Sequence, residues 1–391
     1  MKKITIISQY WEPDMNGDVV RLKNYIGLLL KLGFEITLIT AIPNYLTYKR
    51  KEAKVGIEKR ERLKIIRLWM PKLVHKGLAS RLILYLSFMI FASLPTLIYA
   101  RKSYIWAFSQ RVFSTLAALP AKLLFRVKLY SDITDIWPEA LINTDYASED
   151  SLFYKMGRFI AKIAYRSSDK ILVLSEDMKK QIANRYGLDP KRVFVLENFM
   201  PSREIDLPNM NGELRVLYYG NLGKNYDFDA IIELAKELKR EKIKFIIIGS
   251  GEMEYEIIEN IKRNGLTNVE FINRMLEEAK LKAFVKDAQV LILPMRHQVI
   301  EDVSFPTKLI DYLHSGRVIL YIGNGYCLRL INGHKAGIGL DKFEKEKLVD
   351  FLRTLSNNAE MIKEYATNAK RLAEEMFSEM NATAKIKILF Q

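Results

Sequence analysis

Val216-Leu217-Tyr218-Tyr219-Gly220-Asn221-Leu222-Gly223-Lys224 and, some eighty residues on, Phe305-Pro306-Thr307-Lys308-Leu309-Ile310-Asp311-Tyr312 decide the reading of this chain. Each passes through a glycine-rich or proline-broken turn, carries one lysine and runs into a helical pattern. Free backbone N–H groups at a helix start, joined by a lysine, suit a diphosphate. Asp311 follows Lys308 by three residues, one helical turn on and on the same face, where a carboxylate suits a ribose diol. The pair points to a nucleotide-diphosphate pocket.

Outward from these segments, apolar strands alternate with helical patterns. Strand-like runs cover 4–8, 35–40, 63–68, 104–107, 128–132, 170–174 and 193–196, then 214–219, 245–248, 269–272, 290–293 and 318–321. Helical patterns cover 19–32, 154–167, 227–240, 253–263 and 276–286, and two amphipathic ones close the chain at 346–355 and 361–375. Continuous apolar strands between helices indicate parallel sheets covered on both faces. A polar, proline-bearing stretch at 201–212 reads as a linker. The expectation is an α/β chain of two doubly wound, Rossmann-like domains, 1–200 and 213–375, facing a central cleft. The tail at 376–391 is expected to pack back on the first domain.

The length of 391 residues suits two domains. The single cysteine, Cys327, excludes a disulfide within the chain and fits a reducing cytosol. The four histidines, His75, His297, His314 and His334, show no metal spacing. The apolar start is too short for a signal peptide and reads as a first strand. No G-x-G-x-x-G or G-x-x-x-x-G-K-[ST] occurs, which argues against nicotinamide and P-loop enzymes.

Charge is uneven. Residues 1–200 hold 33 Lys+Arg against 18 Asp+Glu, whereas residues 201–391 hold 28 of each. Between Lys49 and Lys102 stand 14 basic and three acidic residues, and inside that stretch lies an uncharged apolar run at 82–100. It reads as a buried core helix, a helix on the membrane surface, or a span. Basic residues around it favour an anionic membrane. No nucleic-acid motif accompanies the charge, so nucleic acid is not expected as a partner.

Three segments could carry chemistry in the first half. Tyr10 to Asp18 follows the first strand, and Gly17 permits close approach to a ligand; a plain β–α turn explains it equally. Tyr130 to Glu139 follows another strand. There Asp135 and Glu139 could orient a sugar hydroxyl or act as a base, and Trp137 offers a face to a sugar ring. Helix capping is the competing role for Asp132 and Asp135. Ser175 and Asn198 also follow strands, with capping and loop packing as their readings.

These motifs, in this order, resemble the retaining glycosyltransferases of the two-Rossmann GT-B type in family 4. Asp135-Ile136-Trp137-Pro138-Glu139 and Pro306-Thr307-Lys308 are most similar to the branch that builds O-antigen, capsule and exopolysaccharide chains. The resemblance covers nearly the whole chain. It implies transfer of a sugar, hexoses of the N-acetylated type included, with retention and without a metal or other cofactor. The donor would be a nucleotide-diphosphate sugar, UDP-linked by family weight, and the acceptor a lipid-linked saccharide at the inner face of the cell membrane. Lys224 and Lys308 would contact the diphosphate, with Gly220, Asn221, Pro306 and Thr307 around it. Asp311 would take the ribose. Arg274, Gly249 and Gly251 would line the base side, and Asn16 and Gly17 would approach from the other domain. Asn221 stands where the family carries arginine, and Val303 where it carries a glutamate, so Glu301 becomes the substitute for a sugar contact. A non-catalytic sugar-nucleotide or polysaccharide-binding partner of a glycan assembly complex is the alternative, and a sugar-nucleotide epimerase or a phosphorylase a further one.

Overall fold

A computed structural model describes residues 2–14, 16–43, 53–71, 73, 77–109, 112–143, 146–201, 208 and 212–391. The stretch 201–212, read as a linker, lies mostly outside the described residues. The chain divides into two compact units. One comprises Met1–Phe199, Asp302–Phe305 and Ala382–Gln391; the other comprises Met200–Glu301 and Pro306–Asn381.

The first unit runs β1 (Lys3–Ile7), α1 (Gly17–Lys31), β2 (Glu35–Ala41), β3 (Gly56–Arg60), β4 (Leu63–Leu68), α2 (Gly77–Tyr99), β5 (Tyr104–Ser109), α3 (Phe113–Phe125), β6 (Leu129–Ile133), α4 (Leu152–Ser167), β7 (Lys170–Val173), α5 (Glu176–Tyr186) and β8 (Val193–Val195). Its sheet has the order β3-β4-β2-β1-β5-β6-β7-β8. All pairs are parallel, as expected, except β3 with β4, a strand outside those expected. The strand β3 escaped the sequence reading because its Glu-Lys-Arg end has no apolar run and its pattern is almost wholly exposed.

Alternate strand residues feed two cores. Ile4, Ile6, Ile36 and Leu38 meet α1 and the C-terminal residues Ile386 and Phe390. Ile7, Ile39 and Ile105 meet Leu84 and Phe88 of α2 and Ala117 and Ala121 of α3. Winding reverses between β1 and β5: α1 leads outward on one face, and α2 and α3 lead the other way on the other. The crevice at the carboxyl ends of β1 and β5 is therefore the place for a ligand.

The second unit runs β9 (Leu214–Asn221), α6 (Phe228–Glu237), β10 (Ile243–Ser250), α7 (Glu254–Arg263), β11 (Val269–Ile272), α8 (Glu278–Asp287), β12 (Val290–Pro294), α9 (Thr307–His314), β13 (Val318–Ile322), α10 (Tyr326–Gly333), β14 (Gly337–Leu340), α11 (Lys345–Ser356), α12 (Ala359–Phe377) and α13 (Glu379–Leu389), whose last turns join the first unit. The parallel sheet has the order β11-β10-β9-β12-β13-β14, so its reversal lies between β9 and β12. Val216, Tyr218, Phe245, Ile247 and Ile292 centre the core.

Candidate functional site

In the second unit, Tyr218 of β9 and Tyr226 of the turn after it converge on one lysine, Lys308, which follows β12. Lys308 sits in the first turn of α9, and its Nζ donates to the Tyr218 hydroxyl at 2.6 Å. The same ammonium stands 4.0 Å from the Tyr218 ring centroid and 4.1 Å from that of Tyr226. Tyr218 is itself fixed, donating to the Asn221 carbonyl at 2.6 Å. Burial pushes the Lys308 ammonium well below the usual lysine range, with Asp311 pulling it back. Among the described residues no carboxylate forms an ion pair with it. A half-buried cation fixed by neutral groups is a seat for an anion.

The glycines shape that seat. Gly220 has φ +126°, and a Cβ there would lie 2.9 Å from both Cε and Nζ of Lys308. At Gly249 a Cβ would meet the Gly220 carbonyl oxygen at 1.9 Å, and at Gly251 the Leu222 carbonyl oxygen at 2.5 Å. Close backbone packing is what requires these glycines. The Gly251 N–H is taken by Glu254 Oε1 at 2.6 Å, so that amide does not face a ligand. Pro306 stands at the cap of α9 with no side-chain bond to the helix, leaving the positive end of the dipole beside Thr307 and Lys308.

Asp311, one turn on, accepts from the Tyr219 hydroxyl at 2.6 Å. Glu301 accepts from Asn324 Nδ2 at 3.0 Å. Lys224 is largely exposed, with Glu252 4.0 Å away, and Arg274 projects from the exposed loop after β11. The second unit thus gathers Gly220, Asn221, Lys308 and Asp311 tightly and holds Lys224 and Arg274 at its surface.

In the first unit, Asn16 caps α1, accepting the Val19 N–H at 2.9 Å, while its Nδ2 is buried without a partner. Gly17 opens the helix and is exposed. Next to it, Asp18 lines a small cavity at the β1/β5 crevice with Ser8, Gln9, Tyr10, Phe108 and Phe113. Burial, then the neighbouring Asp135 carboxylate, raise its pKa from 3.8 to about 7. Asp135 is partly exposed and its backbone is bridged to Ser304. Beside it the Ile136 N–H donates to Val303 O at 2.7 Å. Asp18 was missed by the sequence reading, although it adjoins Gly17 in a segment already singled out.

Three expectations are corrected. Trp137 offers no face to a sugar: it is buried against Phe113 and Gly157. Glu139 is not presented to a substrate, because its wholly buried carboxylate accepts from Tyr186 at 2.8 Å, with Arg158 at 3.6 Å. Asp132 neither caps a helix nor faces a ligand; it pairs with Arg21 at 3.0 Å, both side chains fully buried. Ser175 caps α5 through the Met178 N–H, and Asn198 accepts from Arg21 at 3.0 Å.

Residues 204–372 match the family model of glycosyl transferases group 1. A curated relative, an α-1,4-N-acetyl-D-galactosaminyltransferase of Campylobacter jejuni acting on a diNAcBac-PP-undecaprenol-linked saccharide, is 28% identical over 244 residues, 60% of this chain and 64% of that protein. The chain spans about a third to two thirds of the length of the curated relatives it matches. Among solved structures, sucrose-phosphate synthase from Thermosynechococcus elongatus superposes with a TM-score of 0.80 at 12% identity, covering 100% of this chain and 98% of that one. Anabaena HepE in complex with UDP and glucose gives 0.71 at 12% identity, covering 100% and 99%. The fold is the GT-B fold of two Rossmann-like α/β domains.

Proposed function

We propose that this chain is a retaining, metal-independent glycosyltransferase of the family 4 type. It moves a sugar, N-acetylated hexoses included, from a nucleotide-diphosphate donor to a lipid-linked saccharide at the inner membrane face during cell-surface glycan synthesis. The observation that carries the reading is Lys308, a half-buried ammonium held by two tyrosine rings and a hydroxyl and lacking a paired carboxylate among the described residues. In the reaction the bond from the anomeric carbon to the diphosphate breaks and negative charge develops on the leaving oxygen. A fixed cation and a helix N-terminus stabilise that charge. The acceptor hydroxyl forms the new bond and loses its proton. Asp311 takes the ribose, with UDP as the donor nucleotide; HepE, of the same fold, was solved with UDP and glucose. In the first unit, Asp135 and Asp18 bind the acceptor saccharide.

The experiment is a thermal-shift and calorimetric screen against UDP, GDP, dTDP and ADP, on the parent and on Lys308→Ala and Lys224→Ala. A ligand bound only by the folded state raises the midpoint. Stabilisation by UDP that disappears in Lys308→Ala supports the donor site. Transfer from UDP-sugars is then measured with and without EDTA. No stabilisation by any nucleotide, together with no transfer, would count against the enzyme.

A further inference from the structure

The apolar run at 82–100 becomes α2, the one described helix long and apolar enough to cross a bilayer. Its inner residues are committed. Leu84, Phe88, Ala92 and Thr96 recur every fourth position, are almost wholly buried and seat the helix on the sheet. A span would have to leave that core. The opposite stripe, Ile83, Ile90, Leu94 and Ile98, is 50–66% exposed. The neighbouring helices carry exposed apolar residues too: α2 packs along α3, and α3 meets α4. Leu123 and Leu124 end α3 at 79% and 68% exposure. Leu152, Met156, Phe159 and Ile163 form an exposed apolar stripe on α4 at helical spacing.

Beside that stripe a groove between α4 and α5 is lined by Lys155, Arg158, Lys162, Arg166 and Arg185, together with Phe159 and Tyr186. Among the described residues the carboxylate ion-paired with these five cations is the buried Glu139, on Arg158. Soluble surfaces seldom leave so many large apolar side chains together, and here cations border them.

We infer that the outer faces of α2, α3 and α4 form a monotopic docking surface for an anionic bilayer. The apolar stripes enter the acyl boundary and the basic groove takes lipid phosphates. Apolar side chains ringed by lysine and arginine match the interface of an anionic leaflet. A second copy would bring the same cations against these and be repelled, which disfavours a homodimer on this face. The purpose of the surface rests on the lipid-linked acceptor proposed above, but its test needs no donor and no acceptor.

The test is flotation of the full chain with vesicles of phosphatidylcholine alone or with roughly 30% phosphatidylglycerol. Variants are Met156→Ser with Phe159→Ser, and Lys162→Gln with Arg166→Gln, all exposed positions. The parent should float with anionic vesicles, weakly with neutral ones, and be released by high salt. Each double variant should lose roughly tenfold in partitioning, with its thermal midpoint and nucleotide-induced shift unchanged. Absence of flotation with either vesicle, equal flotation of all variants, or resistance to salt and alkaline extraction would overturn the proposal. Should a serine variant lower the midpoint, the glutamine pair carries the test. Vesicle binding with neither nucleotide binding nor sugar transfer would sink the transferase reading and leave the docking surface standing.

Discussion

Lys308 Nζ lies 2.6 Å from the Tyr218 hydroxyl and 4.0 Å from the centroid of the same ring, so one tyrosine meets the cation with its oxygen and its face. Neither contact neutralises the charge. Burial disfavours the ammonium, the Asp311 carboxylate offsets part of that cost, and an arriving anion recovers more of it.

Lys308→Met should therefore separate binding from stability. Without nucleotide its midpoint should equal or exceed the parent's, because a half-buried, desolvated cation without an ion-pair partner among the described residues is gone. Its nucleotide-induced shift should vanish, and transfer should fall roughly 10²–10³-fold. Thermal melts and steady-state kinetics on one preparation read both.

The same lysine sets a pH dependence. Its pKa in the free protein lies well below the usual 10.5, and a bound diphosphate raises it again. Between those values nucleotide binding takes up a proton, so affinity should fall as pH rises through that window. The unfolded chain binds more protons there, so stability of the free protein should rise with pH over the same range. Calorimetry in buffers of different ionisation enthalpy measures the uptake, which Lys308→Met should abolish.

Gly249→Ala should be much worse than a helix or strand alanine elsewhere. Its Cβ would lie 1.9 Å from a backbone oxygen, so β9 and β10 must separate. A loss of about 3 kcal/mol or more is expected from overpacking against backbone. Gly220→Ala meets the flexible end of Lys308 and a φ of +126°. It should cost less stability, about 1–3 kcal/mol, yet displace the ammonium and weaken nucleotide binding. Chemical denaturation ranks the two.

How much of this was legible in the sequence follows from what each signal measures. Strand positions and the Lys308–Asp311 spacing are local, and the structure places both side chains in the first turns of α9. The apolarity of α2 was legible, but its buried side was not, because the helix is apolar all round and only packing on β2, β1 and β4 selects a face. Glu139 read as a cleft carboxylate because nothing local announces Tyr186, 47 residues later, closing over it. Asp18 was hidden for the same reason: Asp135 reaches it through the order of β1, β5 and β6 in the sheet. Tyr218 sits inside a strand-like run, where a core role was the natural reading, and only its hydroxyl reveals the second task.

Asp18→Asn tests the unanticipated carboxylate. With a folded pKa of about 7 against 3.8 ordinarily, the folded state holds the proton more tightly between those values. Stability contributed by this group therefore falls as pH rises through that window. Asparagine mimics the protonated acid. The variant should match the parent near the lower value and become the more stable of the two above the upper one. If Asp18 serves the acceptor, kcat should drop while the UDP-induced shift stays. Unchanged turnover would remove it from that role.

Arg21 and Asp132 give the last prediction. Arg21 Nε and Nη2 donate to the Asp132 carboxylate at 3.0–3.3 Å, Nη1 donates to Asn198 at 3.0 Å, and Trp106 Nε1 donates to the same carboxylate at 3.0 Å. Both charged side chains are fully buried. Desolvation opposes both charges, so the pair need not stabilise the fold against an apolar replacement. Removing one partner is different, since it strands the other. Asp132→Ala should cost about 3–5 kcal/mol, and Arg21→Met with Asp132→Leu should recover much of that loss. The double variant then isolates what the pair does beyond stability. It ties α1 to β6, the two elements that carry Asp18 and lead into Asp135. If the ion pair holds those carboxylates in register, the double variant should fold, keep its UDP-induced shift and still transfer sugar poorly. Parent-like transfer would show that α1 is placed by its apolar face alone.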